Sequence, residues 1–185
     1  MSAASLPAFD YRARLARASA AVQGAGADAL YISHLTNLRY LCGLEATAGA
    51  GLLTADGRLH VLVDPRYEAA AGARADEVGR DLVIPVHTSA IRPAAWLADR
   101  CVGEGMRALV LESRVLSLHD GRLLEHELAA VEWRGTLVDA PLDLIEGLRR
   151  VKDAAELAIL REAGRRLSDA ARGILRDGVA RASFA

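Results

Sequence analysis

Short apolar runs alternate with amphipathic segments along most of the chain. Apolar runs typical of strands cover residues 29–33, 52–54, 59–63, 82–86, 108–112 and 131–137. Apolar residues at helical spacing predict helices over 10–23, 65–75, 94–101 and 118–128. Asp56-Gly57, between two of the strands, predicts a hairpin because this dipeptide accommodates positive φ angles. One antiparallel hairpin among strand–helix units predicts an α/β fold, a mixed β-sheet with helices on both faces.

The last predicted helix follows Asp153, and Glu156 three residues on forms a variant of the capping box. Gly178 is predicted to end this helix near Asp177. Its apolar positions recur at steps of three and four and form one stripe: Leu157, Leu160, Gly164, Leu167, Ala171 and Ile174. The earlier segments have their own helices to cover the sheet, so the stripe predicts a partner elsewhere.

We therefore expect residues 1–150 to form one domain. Residues 151–185 are interpreted as a linker and the first helix of a truncated second domain. An isolated chain is expected to self-associate through the apolar stripe, because a long exposed apolar face favours association.

Composition and charge narrow the class of protein. Hydrophobic residues make up 52% of the 185 residues and charged residues 25%, typical of a folded domain and unlike a disordered chain. A net charge of -1 predicts neither nucleic acid nor an anionic membrane as a partner. Two cysteines, no apolar run of about 18 residues and no signal-peptide pattern predict a cytoplasmic protein.

The titratable residues form no recognisable catalytic or metal-binding motif. His34, His60 and His87 fall on separate elements, where we expect edge or loop positions. His119 and His126 are seven apart and are interpreted as a solvated helix surface. The sequence lacks G-x-S-x-G, a P-loop and G-x-G-x-x-G. We predict no catalytic residue and no metal ligand in this chain.

Two short motifs are candidates for a site. Asn37-Leu-Arg-Tyr40-Leu-Cys-Gly43 is interpreted as a helical turn that Asn37 caps and Gly43 ends. Asp64-Pro-Arg66-Tyr67 is interpreted as the capped start of a helix at a strand's carboxyl end, where α/β proteins present functional groups. Arg66 offers a planar fork suited to a carboxylate. From the residues themselves a structural role is favoured at both motifs.

Four blocks of sequence, in this order, resemble the amino-terminal domain of the creatinase/prolidase/Xaa-Pro aminopeptidase superfamily. They are residues 27–32 with 37–43, residues 51–57, residues 63–67, and residues 148–153 with Glu156 and Ile159. The resemblance implies a mixed sheet of ribonuclease-H-like topology. It also implies a second, catalytic domain that holds two divalent metals (Mn, Co or Zn) through two aspartates, a histidine and two glutamates outside this chain.

The resemblance gives the two motifs different roles. It implies that Asn37, Tyr40 and Gly43 are a structural signature, with Asp64 capping the helix that follows it. It further implies that Arg66 and Tyr67 approach the active site of a neighbouring subunit, where the arginine would orient a substrate carboxylate.

The function implied is that of a non-catalytic domain of a homodimeric Xaa-Pro dipeptidase or aminopeptidase acting on peptides. In such a protein the domain would serve oligomerisation and substrate access, and the chain by itself would be inactive. A creatinase-type C–N hydrolase parent, a stand-alone protein-interaction domain and an inactive truncated chain remain open alternatives.

Overall fold

A computed structural model describes residues 7–87, 92–141 and 144–182, with side chains as far as residue 176. The described helices and strands alternate along the chain except at one pair of consecutive strands and at the last two helices. The strands are β1 Ala29–Ile32, β2 Ala50–Thr54, β3 Leu59–Val63, β4 Val83–His87, β5 Ala108–Leu111 and β6 Thr136–Asp139. The helices are α1 Tyr11–Gly24, α2 Leu35–Cys42, α3 Glu68–Val78, α4 Pro93–Gly103, α5 Leu118–Ala130, α6 Leu144–Arg150 and α7 Ala154–Ala182, with a 3₁₀ turn at Pro65–Tyr67 before α3.

The six strands form one mixed sheet in the order β4-β3-β2-β1-β5-β6. Strand β2 is antiparallel to both neighbours, and the other three pairings are parallel. Strands β1, β3, β4, β5 and β6 therefore all end at the same edge of the sheet, which we call the carboxyl edge. The predicted hairpin is confirmed: Gly57 lies in its turn with a φ of 94°.

Helices cover both faces of the sheet, as predicted, because alternate residues of each strand point to opposite sides. On β1, Leu30 and Ile32 join a cluster that includes buried residues of α1, α2, α3 and α6. Ala29 and Tyr31 contact a second cluster, built on α4 and α5 around Leu97.

The predicted strand at 131–137 begins later than expected. Val131 follows the last residue of α5, and its N–H still bonds to the carbonyl of Glu127 at 3.2 Å. Glu132 has a φ of 54°, which a strand does not accommodate. The chain therefore turns here, and β6 starts only at Thr136. Helix α6 was not anticipated, because its seven residues carry too short a pattern.

Residues Asp10–Arg150 form one compact unit, and the segment from Val151 belongs to another. The predicted capping box is present at the start of α7: the Asp153 N–H donates to Glu156 Oε2 at 2.9 Å, and the Glu156 N–H donates to Asp153 Oδ1 at 2.8 Å. The predicted stop at Gly178 is wrong, because α7 continues to Ala182. Glycine weakens a helix interior without forcing an end. The apolar stripe is largely exposed, with Leu167 at 72% and Ile174 at 73%.

His60 is buried on β3, an inner strand of the sheet, so the expectation of an edge or loop position was wrong. It lies on β3 and is 4% exposed. Its Nε2 is 3.3 Å from Arg100 Nη2, and its ring is 5.6 Å from that of Trp96. Burial, reinforced by the charge of Arg100, lowers the pKa of His60 below its ordinary value of 6.5.

This burial makes the stability of the chain pH-dependent. Since the folded chain binds a proton at His60 less readily than the unfolded chain does, the free energy of unfolding should fall as the pH drops below about 6.5. His60→Gln should flatten this dependence, whereas His126→Gln, at an exposed helix position, should preserve it. Urea unfolding between about pH 7.5 and pH 5 measures the difference. An unchanged pH dependence in the His60 variant would contradict the assignment.

Candidate functional site

The topology gathers polar side chains at the carboxyl edge. Ser33 and His34 follow β1, Asp64 follows β3 and Glu112 follows β5, and these three strands run in the same direction. Both predicted motifs therefore lie at one edge of the sheet. Sequence reasoning placed the two motifs in order along the chain but did not anticipate that they share this edge.

Glu112 caps helix α2 from another strand. The residue preceding the helix, His34, makes no side-chain cap hydrogen bond of its own. Instead, Glu112 Oε2 accepts from the backbone N–H groups of Ser33 at 2.7 Å and His34 at 2.6 Å. Glu112 is only 7% exposed, so this carboxylate is committed to the positive end of the helix. Sequence reasoning missed Glu112, although its position at the carboxyl end of a predicted strand was an available indication.

Asn37 is not the helix cap, because α2 begins two residues earlier, at Leu35. It is fully buried, and its Nδ2 donates to Glu112 Oε1 at 2.6 Å and to Glu146 Oε1 at 2.7 Å. Its Oδ1 accepts from Arg149 Nη1 at 2.8 Å. One amide thus joins β5 and α6 to α2, and these contacts support a structural role for Asn37.

At the carboxyl end of α2, two arginines donate hydrogen bonds to backbone carbonyls. Arg14, 3% exposed, donates from Nη1 to the carbonyl of Tyr40 at 3.2 Å, and its guanidinium lies 4.4 Å from the centre of the Tyr40 ring. Arg74 Nε donates to the carbonyl of Cys42 at 2.8 Å. The two cations therefore meet the carbonyl end of the helix, where positive charge is stabilising.

Gly43 ends α2, as predicted, with a φ of 75°. A Cβ at this position would lie 2.5 Å from Tyr11 Oη and 2.6 Å from Arg74 Nη2. Glycine is therefore required here both by the left-handed backbone and by the close approach of these side chains.

Asp64 and Arg66 form a local ion pair at the end of β3. Asp64 Oδ1 accepts from the Arg66 N–H at 2.9 Å, as a cap does, and Asp64 Oδ2 is 2.6 Å from Arg66 Nη2. The hydrogen bonds from Arg66 lower the pKa of Asp64. The Arg66 side chain is 67% exposed, and its Nη1 makes no hydrogen bond with the described residues. A carboxylate arriving from outside would therefore meet an oriented but partly occupied guanidinium.

Tyr67 is half-buried, and its hydroxyl is engaged within the chain. Tyr67 Oη is 2.7 Å from Thr47 Oγ1 and accepts from the Thr47 N–H at 3.1 Å. These hydrogen bonds lower the pKa of Tyr67. Tyr67 lines a cavity of about 370 Å³, and Arg39 is on its wall, where it forms an ion pair with Glu45 at 2.5 Å.

The described residues do not fit a metal centre. No group of three or more histidine, cysteine, aspartate or glutamate side chains among them could hold an ion. Burial raises the pKa of Cys42 to about 11 and that of Cys101 to about 12, so both remain thiols near neutral pH. Of the helices described, none is sufficiently long and apolar to span a membrane.

The mixed sheet, the structural α2 motif and the exposed Asp64–Arg66 pair together define an α/β domain with its polar groups on one edge. The sequence profile of the Creatinase/Prolidase N-terminal domain matches residues 14–151. The chain belongs to this family.

Solved structures of family members have the same fold. The N-terminal domain of the cytoplasmic peptidase PepQ from Mycobacterium tuberculosis is 31% identical, with a TM-score of 0.61 over 74% of this chain and 98% of that one. An Xaa-Pro aminopeptidase from Streptococcus pyogenes is 27% identical, with a TM-score of 0.61 over 75% of this chain and 96% of that one.

A longer relative shows the extent of the likeness. The Xaa-Pro dipeptidase from Bacillus anthracis is 21% identical, with a TM-score of 0.74 over 90% of this chain, and the match spans 43% of the dipeptidase. No curated protein sequence matches the chain.

The buried network predicts the effect of a change at Asn37. Asn37→Asp would place a third carboxylate between Glu112 and Glu146, and we expect it to lower the free energy of unfolding by about 3 kcal/mol near neutral pH. Gln23→Glu makes the same amide-to-carboxylate change at an exposed position, where it removes one hydrogen bond to the Ala55 carbonyl, and should cost about 1 kcal/mol. Urea unfolding of both variants measures this. Equal losses would contradict the role assigned to Asn37.

Proposed function

We infer that this chain is the amino-terminal, non-catalytic domain of a cytoplasmic Xaa-Pro peptidase, and that it serves subunit association and substrate access. The observation that carries the proposal is the 31% identity to a domain described as the amino-terminal part of a cytoplasmic peptidase, over 74% of this chain. The family match over residues 14–151 supports a domain that ends near residue 150, as in the domain expected at 1–150.

We also propose that the metal-dependent chemistry belongs to a separate catalytic domain and not to this chain. Because the described residues offer no metal-binding group, two divalent metals would have to be held by a second domain. Residues 151–185 are proposed to be the linker and first helix of that domain. A metal-free interaction domain and a creatinase-type hydrolase remain the alternatives, since the fold does not decide between them.

We further propose a dimer in which Arg66 approaches the active site of the neighbouring subunit. The family resemblance implies both the dimer and this approach. Arg66 is exposed at the carboxyl edge, and Asp64 fixes its orientation through hydrogen bonds to Nε and Nη2. An oriented guanidinium loses less conformational freedom when it binds a carboxylate. Its role would be to position a peptide substrate and not to make or break bonds.

The first experiment tests peptidase function directly. We expect a longer protein that joins this chain to a family catalytic domain to release proline from Xaa-Pro dipeptides with Mn²⁺ or Co²⁺, and a chelator to stop it. The 185-residue chain by itself should be inactive in the same assay. Cleavage by the short chain, or a metal-loaded longer protein inactive on every Xaa-Pro peptide, would contradict the proposal.

The second experiment tests Arg66 in that longer protein. Arg66→Ala should raise KM about tenfold and change kcat less, because it removes a contact to the bound substrate. Arg58→Ala is the matched control: Arg58 pairs with Asp56 two residues before it, at 2.7 Å, just as Arg66 pairs with Asp64. An Arg66 variant with unchanged KM, or an equal effect of both substitutions, would show that Arg66 does not position the substrate.

A further inference from the structure

A groove opens between α4, α5 and strand β1. Two adjoining cavities, of about 310 and 120 Å³, share Tyr31, Pro93 and Asp120 in their walls and so form one groove. We call it the Tyr31 groove. It lies on the face of the sheet that carries α4 and α5, within the compact unit Asp10–Arg150.

The polar end of the groove is the larger cavity, and Asp120 and Tyr31 lie where it joins the smaller one. Among the described residues that line the groove, the charged ones are Asp64 and Asp120, and none is basic. The charge of Asp64 is compensated by Arg66 at 2.6 Å. Asp120 accepts a hydrogen bond from Ser117 Oγ at 2.6 Å and forms no ion pair with any described residue. The formal charge at this end is therefore negative and is carried by Asp120, in the first turn of α5, where the helix dipole offsets part of it.

Tyr31 lines both cavities together with Asp120. Its side chain is partly buried, and the hydroxyl has no hydrogen-bond partner in the part of the chain that the structure describes. Burial, with a further contribution from the charge of Asp120, raises the pKa of Tyr31 to about 12. The phenol thus remains protonated near neutral pH and can both donate and accept a hydrogen bond.

The other end of the groove is apolar. It is formed by Pro93 and Ala94 at the start of α4, with Leu97 one turn on, and by Leu123 and Leu124 of α5. Leu123 is 40% exposed, whereas Leu97 and Leu124 belong to the core behind it. An apolar group that entered this end would remove both its own surface and that of Leu123 from water.

We propose that the Tyr31 groove binds a small organic ammonium, with the charged nitrogen near Asp120 and the Tyr31 hydroxyl and the apolar body between α4 and α5. An anion at the polar end would be repelled by the charge of Asp120, which no described cation pairs. An uncharged apolar molecule would bury Asp120 without a compensating charge, which is unfavourable. The proposal concerns this chain itself and does not rest on the peptidase function.

A titration of the 185-residue chain with phenethylammonium, followed by backbone amide NMR shifts, tests the site. We expect a dissociation constant on the order of 1 mM and shifts centred on Tyr31, Leu97 and Asp120. The neutral analogue 2-phenylethanol should bind about fivefold more weakly. Equal affinity of the two compounds, no binding, or shifts centred elsewhere would overturn the proposal.

Matched variants separate the two ends of the groove. Asp120→Asn should weaken phenethylammonium about fivefold and leave 2-phenylethanol unchanged. Asp10→Asn is the control, because Asp10 is likewise a carboxylate at the start of a helix, where it caps α1 by accepting from the Ala13 N–H at 2.9 Å, but it does not line the groove. Leu123→Ala should weaken both compounds, and its exposure makes a folding defect small. A loss with Asp10→Asn equal to that with Asp120→Asn would refute the site.

Discussion

The structure depends on charged side chains that cap the eight-residue helix α2 from outside. A helix of this length is marginal in isolation, and its ends carry unpaired N–H and C=O groups. Glu112 accepts from the amino end, while Arg14 and Arg74 donate to carbonyls at the other end. Each charge has the sign that the helix dipole favours. The stability of helix α2 therefore depends on its contacts with residues of α1 and α3 and of the turn after β5.

Burial separates the structural part of the carboxyl edge from the part available to a ligand. Asn37 and Glu112 are buried, and each satisfies several partners, so a ligand could displace them only at high cost. The Asp64–Arg66 pair is local in sequence and exposed, so Arg66 can bind an external carboxylate without any buried contact being broken. The same edge thus holds a buried network beside β1 and an accessible arginine beside β3.

Local patterns predicted the elements better than the contacts between them. The hairpin followed from Asp56-Gly57, and the end of α2 followed from Gly43, because a positive φ is a property of the local chain. The start of the last strand was predicted too early, because Val131 and Trp133 belong to a turn that follows α5. In that turn Trp133 Nε1 donates to the Met106 carbonyl at 2.7 Å. The burial of His60 and the partners of Asn37 depend on residues 40 to 112 positions away, which no local pattern contains.

The polar groups of β1 and its end differ between the two faces of the sheet. Towards α2, its end is closed by the hydrogen bonds of Ser33 and His34 to Glu112. Towards α4 and α5, Tyr31 leaves a hydroxyl unpaired by described residues at the wall of a groove. Ser33 also lines that groove, yet its N–H is already committed to Glu112. A ligand on the open face would therefore meet the α2 cap at one residue only, and could bind without disturbing the contacts on which α2 depends.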